Sequence, residues 1–179
     1  MGVIMFSGVH GVGKGYFLDK MKDILQRYEI YTASKLIEKY QPSTDAGYKK
    51  VGDVSRNQEI LIKAIKEEAR LNESNCIIDG HLCIFNARGE VERVPEYFFV
   101  KAGITEIILL QDDPHVICER IRHRDSTQIR IEDIEKMQDE EEKYAYELQE
   151  KFRIDCRVIS HECTGEQLET MLREMREAD

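Results

Sequence analysis

The sequence predicts a three-layer α/β/α protein built on a five-stranded parallel sheet. Short apolar runs, each long enough for a buried strand, alternate along the chain with longer stretches whose apolar residues recur at helical spacing. This alternation is typical of a parallel sheet covered by helices on both faces. The chain has 179 residues, of which 41% are hydrophobic, as expected of one globular domain. We therefore predict a single domain over residues 1–179.

The predicted strands are short apolar segments bounded by glycine, proline or polar residues. The clearest boundary surrounds the fourth segment, which lies between Gly103 and Pro114. In chain order, the strands are predicted at Val3–Phe6, Ile30–Thr32, Cys76–Asp79, Ile104–Leu110 and Ile154–Ser160.

The predicted helices follow from apolar residues spaced three and four apart. Ser34 is predicted to cap one of them and Pro114 to open another. We expect the acidic run Asp139–Glu142 to face solvent and Gln41–Gly52 to form a loop or broken helix. The helices are predicted at Lys14 to about Tyr28, Lys35–Tyr40, Asp53 to about Leu71, Pro114 onward, Ile131–Phe152 and Gly165–Ala178, the last packing on the sheet.

The charge balance limits the partners. A formal net charge of -9 and a pI of about 5.2 argue against bulk nucleic acid as a partner, but they allow a small anionic ligand bound by local positive charge. No apolar run approaches the roughly 20 residues of a membrane span, and the start lacks a signal-peptide pattern. The five cysteines form no C-x-x-C pair, which favours free thiols in a reducing cytoplasm.

A glycine-rich stretch directly after the first predicted strand indicates a phosphate-binding loop. Gly8, Gly13 and Lys14 fit the pattern G-x-x-x-x-G-K, with a strand before it and a helix after it. Backbone amides in such a loop converge on an anion, and the lysine reaches the β- and γ-phosphates. The predicted cofactor-binding residues are Gly8, His10, Gly11, Val12, Gly13, Lys14, Gly15 and Tyr16, together with Asp79 and His81.

Two further polar segments follow predicted strands. Asp79-Gly80-His81 and Gln111-Asp112-Asp113 are expected to meet the glycine-rich loop at one edge of the sheet, because ligands of parallel sheets lie beyond the carboxyl ends of the strands. Asp79 is predicted to orient the water shell of Mg²⁺ or to cap a turn. His81 either contacts substrate or is a hydrogen-bonded structural histidine.

A cluster of arginines, unusual in so acidic a chain, lies between Glu119 and Arg130. Guanidinium groups around a transferred phosphoryl group stabilise the charge of the transition state. The alternative is a solvated basic face. We predict catalytic roles for Lys14, Arg120, Arg124 and Arg130.

These motifs together resemble the nucleoside monophosphate kinases among the P-loop kinases, and the archaeal-type adenylate kinases in particular. The resemblance includes Gly13-Lys14-Gly15-Tyr16, then Asp79-Gly80-His81 with a turn at Gly89 and a following Pro95. It also includes Arg124-Asp125-Ser126-Thr127-Gln128-Ile129-Arg130, which matches a lid of the form Arg-Asp-x-Thr-x-x-Arg. It implies a P-loop NTPase fold, an acceptor-binding region over about residues 30–72 and a short lid over about 120–132. ATP and Mg²⁺ would be the cofactors and a nucleoside monophosphate the small-molecule acceptor.

The sequence departs from this family at several positions. Gly15 stands where many phosphate loops carry a magnesium-binding Ser or Thr, and Tyr16 replaces the family's Thr. The family's acceptor arginines are replaced by Ile37, Leu82 and Cys83. Lys35, Lys49, Lys50, Arg56 or Arg88 could substitute for them.

Three functions therefore remain open. The first is transfer of the ATP γ-phosphoryl group to a nucleoside monophosphate, which needs no general base. The second is transfer to a hydroxyl of another small molecule, with Asp79 as the candidate base. The third is a nucleotide-gated binding protein without catalysis. The sequence carries no signal for the oligomeric state.

Overall fold

The computed structural model describes residues 2–41, 54–72, 75–86, 88–126 and 129–177. The predicted loop beyond Gln41, together with Thr127 and Gln128 of the lid motif, lies outside them. The described elements are, in order, β1 (Val3–Ser7), α1 (Lys14–Lys20), β2 (Tyr28–Thr32), α2 (Ala33–Tyr40), α3 (Val54–Asn72), β3 (Asn75–Asp79), β4 (Cys83–Phe85), β5 (Val91–Arg93), α4 (Glu96–Ala102), β6 (Ile104–Gln111), α5 (Pro114–Asp125), α6 (Ile131–Phe152), β7 (Asp155–Ser160) and α7 (Gly165–Glu177).

The main sheet has five parallel strands in the order β2-β3-β1-β6-β7, which confirms the predicted architecture. Each predicted strand segment corresponds to one of these strands. β1 is central and all five of its residues are buried, because it has a strand on each side and helices above and below. The ends of β1, β3, β6 and β7 therefore lie side by side along one edge of the sheet.

A small antiparallel hairpin, β4–β5, and helix α4 were not predicted. Each hairpin strand has three residues, which is too few to show an alternating pattern. The turn is closed by Asn86, whose side-chain oxygen accepts from the amides of Arg88 at 2.9 Å and Glu90 at 3.0 Å. From the sequence, only the turn-forming residues could have indicated this hairpin, because its strands are too short to show a period.

Two predicted boundaries were wrong. Helix α1 ends at Lys20 and not near Tyr28, because residues 21–27 form successive turns and Tyr28 already begins β2. Helix α2 begins at Ala33 with Thr32 at the N-cap, so Ser34 lies inside the helix and does not cap it. The other predicted helices are confirmed to within two residues at the ends that are described.

Helix α5 begins as its sequence predicts. Pro114 occupies the first turn, and the side chain of Asp113 accepts a hydrogen bond of 2.7 Å from the amide of His115. This cap fixes the start of the helix that carries the arginine cluster.

Helix α6 corrects the prediction for the acidic run. Glu141 is fully buried, and Glu140 forms an ion pair with Arg93 at 2.7 Å. Arg93 also lies 4.6 Å from the ring centre of Tyr144. The run therefore faces the hairpin and the core as well as solvent. Its residues follow the helical period, so one of four consecutive acidic residues necessarily points inward.

Helix α7 packs on the core as predicted, with Leu168, Leu172 and Met175 buried. No helix among the described residues combines the length and the apolar character that a membrane crossing needs.

Candidate functional site

The glycine-rich loop lies between β1 and α1 and depends on left-handed backbone. Gly11 has φ 83° and Gly13 has φ 98°. A Cβ atom at Gly11 would lie 2.5 Å from Ile121, and one at Gly13 would lie 3.0 Å from His161. Both positions therefore need glycine for conformation and for space. Gly13 is also the N-cap of α1, so the loop leads directly into that helix.

Lys14 is the first residue of α1 and is held inside the loop. Its side chain is largely buried, and its Nζ atom donates to the carbonyl of Gly8 at 2.7 Å. The same atom lies 3.9 Å from Oδ1 of Asp79 and 3.5 Å from Nδ1 of His81. Burial lowers the pKa of Lys14, while the negative charge of Asp79 opposes that shift. The ammonium group is thus fixed at the junction of β1 and β3.

Asp79 and His81 stand across from Lys14, as predicted from their place after β3. Burial raises the pKa of Asp79, and Lys14 counteracts it. Burial, followed by the charge of Lys14, lowers the pKa of His81 to about 3. His81 is therefore a neutral imidazole at physiological pH, and its Nδ1 atom can accept a hydrogen bond from Lys14.

Arg120 is fixed over the loop by two contacts. Its Nη1 atom donates to the carbonyl of Val12 at 2.9 Å and lies 2.8 Å from Oδ2 of Asp112. His161, which follows β7, also approaches the carbonyl of Val12, at 2.6 Å. Val12 itself is fully buried, so this carbonyl anchors the loop to the segments after β6 and β7.

The end of α5 contacts the loop through His10. The Nε2 atom of His10 lies 3.0 Å from Oδ2 of Asp125, and Arg124 contacts both residues. The hydrogen bond from Arg124 lowers the pKa of Asp125. Arg130 is placed elsewhere: its side chain is 77% exposed and pairs with Asp133 at 2.7 Å. The described structure therefore brings Arg120 and Arg124 to the loop but leaves Arg130 outside the cavity lining.

A cavity of about 860 Å³ opens at this edge of the sheet. One wall is formed by the phosphate loop and α5, and it carries Lys14, Arg120 and Arg124. The other wall is formed by Thr32–Ser34 and Asp79–His81. We call these the cationic wall and the neutral wall. The remaining lining residues are Val9, His10, Gly11, Gly13, Gly15, Tyr16, Val116, Glu119 and His123.

The neutral wall has no lysine or arginine among its described residues. Lys35, Arg56 and Arg88, which the sequence offered as substitutes for acceptor arginines, are exposed and do not line the cavity. Lys49 and Lys50 lie outside the described residues. A second cavity of about 340 Å³, with mostly apolar lining residues, shares Val9, His10 and His81 with the large one.

Gly15 differs from Gly11 and Gly13. A Cβ atom at this position would meet nothing within 4 Å, and Gly15 is not among the glycines with positive φ. The fold would therefore accept a serine or threonine here, and the missing hydroxyl is a property of the sequence alone. Within the described parts of the chain, no group of three or more His, Cys, Asp or Glu side chains could hold a metal ion.

Sequence reasoning missed three residues of this region. His161 could have been found, because it follows the last strand at the same sheet edge. Ser7, the last residue of β1, and Glu141, inside an acidic run, gave no signal in the sequence.

The parallel sheet and the glycine-rich loop together define the class as a three-layer α/β/α domain with a P-loop NTPase fold. A family model described as an AAA domain matches residues 7–139, more than half of the chain, and the protein belongs to that family.

Solved structures share this fold over almost the whole chain. The tunicamycin resistance protein of Deinococcus radiodurans has a TM-score of 0.63 and 13% identity, covering 97% of this chain and 94% of its own. A gluconokinase from Sinorhizobium meliloti 1021 has a TM-score of 0.53 and 13% identity, with 99% and 95% covered. A sugar kinase from Janibacter sp. HTCC2649 gives the same four values. At 13% identity, these similarities show a shared fold and nothing further.

Proposed function

We propose that the protein is an ATP-dependent phosphotransferase that uses Mg²⁺ and acts on a small molecule. The observation that carries the proposal is the buried ammonium of Lys14, which lies at the start of α1 within a loop of left-handed glycines. Arg120 and Arg124 add positive charge on the same wall. The backbone amides of the loop would position the phosphates, and the three cations would compensate the negative charge of the transferred phosphoryl group.

Magnesium would be held mainly by the phosphates and by water. Residue 15 offers no hydroxyl, and Asp79 is the carboxylate nearest to Lys14. Its oxygen atoms can accept hydrogen bonds from water molecules around the ion. When bound, Mg²⁺ would neutralise charge on the β- and γ-phosphates.

For the acceptor, we propose a hydroxyl group. The neutral wall has no described cation to bind an acceptor phosphate, and it presents Asp79 and the neutral His81. The hydroxyl oxygen would attack the γ-phosphorus while the bond to the β–γ bridging oxygen breaks and ADP leaves. The hydroxyl proton would pass to the Asp79 carboxylate. Two structures with the same fold, named a gluconokinase and a sugar kinase, are consistent with such an acceptor.

A nucleoside monophosphate is the second candidate. It is favoured by the position of Arg124 beside the loop, within a lid motif that resembles adenylate kinases. In this case no base is needed, because the acceptor is already an anion. Cations on residues 42–53, outside the described part, would have to bind the acceptor phosphate.

One assay separates the candidates. ADP release from ATP and Mg²⁺ is measured without acceptor, with a panel of sugars and other alcohols, and with each nucleoside monophosphate. Turnover that depends on an alcohol supports a hydroxyl acceptor. Turnover that depends on a nucleoside monophosphate supports the second candidate instead. ATP binding without any acceptor-dependent turnover would indicate a nucleotide-gated binding protein and would overturn both.

A further inference from the structure

Glu141 is a carboxylate buried directly behind the phosphate loop. Its side chain is 0% exposed, although it lies in the acidic run of α6. Its Oε1 atom accepts a hydrogen bond of 3.1 Å from the hydroxyl of Ser7. Ser7 is the last residue of β1 and immediately precedes Gly8. A buried carboxylate is unfavourable unless other groups compensate it, so the groups around Glu141 indicate its role.

Two backbone amides complete the contacts of the same oxygen atom. The amide of Leu82 lies 3.1 Å from Oε1 and 2.9 Å from Oγ of Ser7. The amide of Cys83 lies 3.4 Å from Oε1. Leu82 directly follows His81, so this oxygen atom joins the end of β1, the segment after β3 and helix α6. The end of β1 leads into the loop that holds Lys14, and the segment after β3 carries His81, two residues beyond Asp79.

The charge of Glu141 also acts on Lys14. Burial raises the pKa of Glu141 to about 7, and the ammonium of Lys14 is the largest opposing influence. In return, Glu141 raises the pKa of Lys14. From β4 the facing titratable group is the thiol of Cys83, whose pKa burial and Glu141 raise to about 12, so it stays neutral. The Oε2 atom of Glu141 is buried without a hydrogen-bond partner in the described structure.

We propose that Glu141 is a positioning residue of the phosphate site. It fixes the segment carrying Asp79 and His81 against the strand that leads into the phosphate loop, and its negative charge balances Lys14 before nucleotide binds. A bound triphosphate brings negative charge to Lys14 and thereby disfavours the ionised carboxylate. Glu141 then takes up a proton from solvent on Oε2, the atom that makes no hydrogen bond.

Calorimetry of ATP binding at pH 7 tests this inference without any acceptor. Titrations in two buffers of different ionisation enthalpy give the net proton uptake of the wild type, Glu141→Gln and Glu106→Gln. Glu106 is a matched control, because it is also buried but lies near the opposite end of β6. We expect the wild type and Glu106→Gln to take up a measurable fraction of a proton more than Glu141→Gln, because the negative charge of a triphosphate beside Lys14 raises the pKa of Glu141 further.

The positioning role rests on the proposed function, because its test measures the rate of phosphoryl transfer. We expect Glu141→Leu to lower kcat by about tenfold or more while the ATP Kd stays within about threefold, since it removes the oxygen atom that joins Ser7, Leu82 and Cys83 but leaves the phosphate loop intact. Glu141→Gln should lower kcat less, because its amide oxygen can accept the same hydrogen bonds. If Glu141→Leu does not fold, Ser7→Ala replaces it, because it removes the shared hydroxyl but keeps the carboxylate. Ser7→Ala should also lower kcat at unchanged ATP affinity.

Three outcomes overturn the inference: equal proton uptake in the wild type and Glu141→Gln, wild-type kcat in Glu141→Leu, or wild-type kcat in Ser7→Ala when that variant replaces Glu141→Leu. A wild type that does not bind ATP at all would instead overturn the proposed function.

Discussion

The two walls of the large cavity differ in charge and in the way they are built. The cationic wall carries Lys14, Arg120 and Arg124, and backbone carbonyls of the loop itself accept hydrogen bonds from the first two. The neutral wall presents Thr32–Ser34 with Asp79–His81, and its described residues include no lysine or arginine. If the proposed function holds, recognition of a polyphosphate is part of the fold, whereas recognition of the acceptor depends on neutral polar groups and one carboxylate.

The largest effect is expected on the cationic wall. Lys14→Ala should reduce phosphoryl transfer by at least about 10²-fold, because it removes the charge that lies closest to the transferred group. A coupled assay for ADP measures the loss, and circular dichroism shows whether the fold persists. Near-normal turnover in a folded Lys14→Ala protein would contradict the role of this wall.

The next variant tests Asp79 as the general base at the neutral wall. If the acceptor is a hydroxyl, Asp79→Asn should lower kcat by about 10²-fold, because the general base is lost. Asp19→Asn, an exposed carboxylate on α1, is the control and should leave kcat unchanged. An Asp79→Asn variant that retains most of its kcat would favour a monophosphate acceptor.

The arginine cluster separates into residues at the cavity and residues away from it. Arg120→Ala should lower kcat/KM by about tenfold, since Arg120 is fixed to the loop carbonyl of Val12 and charge-assisted contacts are the strong ones. Arg130→Ala should change kcat/KM by about twofold or less, because its side chain is 77% exposed and paired with Asp133. Steady-state kinetics of both variants measure the two changes in kcat/KM. A larger loss in Arg130→Ala would mean that the lid brings Arg130 into the site during turnover.

The smallest expected effect concerns stability. The pKa of His81 is lowered to about 3 in the folded protein, so the unfolded chain binds more protons as the pH falls below about 6.5. The wild type should therefore lose stability relative to His81→Asn between pH 7 and pH 5, by about 2–4 °C of Tm per pH unit. Thermal melts at several pH values measure the difference. A pH-independent difference would contradict the neutral state of His81.

Much of the fold was predictable because its signals are local. β1, β3 and β6 each contain at least three consecutive apolar residues, and helices such as α6 repeat their apolar residues over many turns. The hairpin β4–β5 was missed because three residues cannot show a period. The end of α1 was misplaced because Ile24 and Leu25 continue the helical spacing through turns that lead to β2.

The candidate site also contains residues that could be predicted from the sequence and residues that could not. The phosphate loop was predictable because its glycines and lysine are constrained by backbone geometry within a few residues. Glu141 was not, because its contacts with Ser7 and Leu82 join residues 134 and 59 positions apart, and nothing near it in the sequence marks it as buried. Arg120 lies at the loop because α5 brings it there, whereas Arg130 is the N-cap of α6 and pairs with Asp133. Positions in the fold, and not spacing in the chain, therefore decide which guanidinium groups converge.

The position of β1 has a consequence for hydrogen exchange. β1 is the middle strand and pairs with both neighbours, whereas β2, which leads to the neutral wall, is at the edge of the sheet. Amides of a central, buried strand exchange with solvent only through global opening, and those of an edge strand also exchange through smaller fluctuations. We expect the strand that leads into the phosphate loop to be among the last to open and β2 to open earlier, so that the neutral wall can rearrange while the phosphate loop keeps its shape.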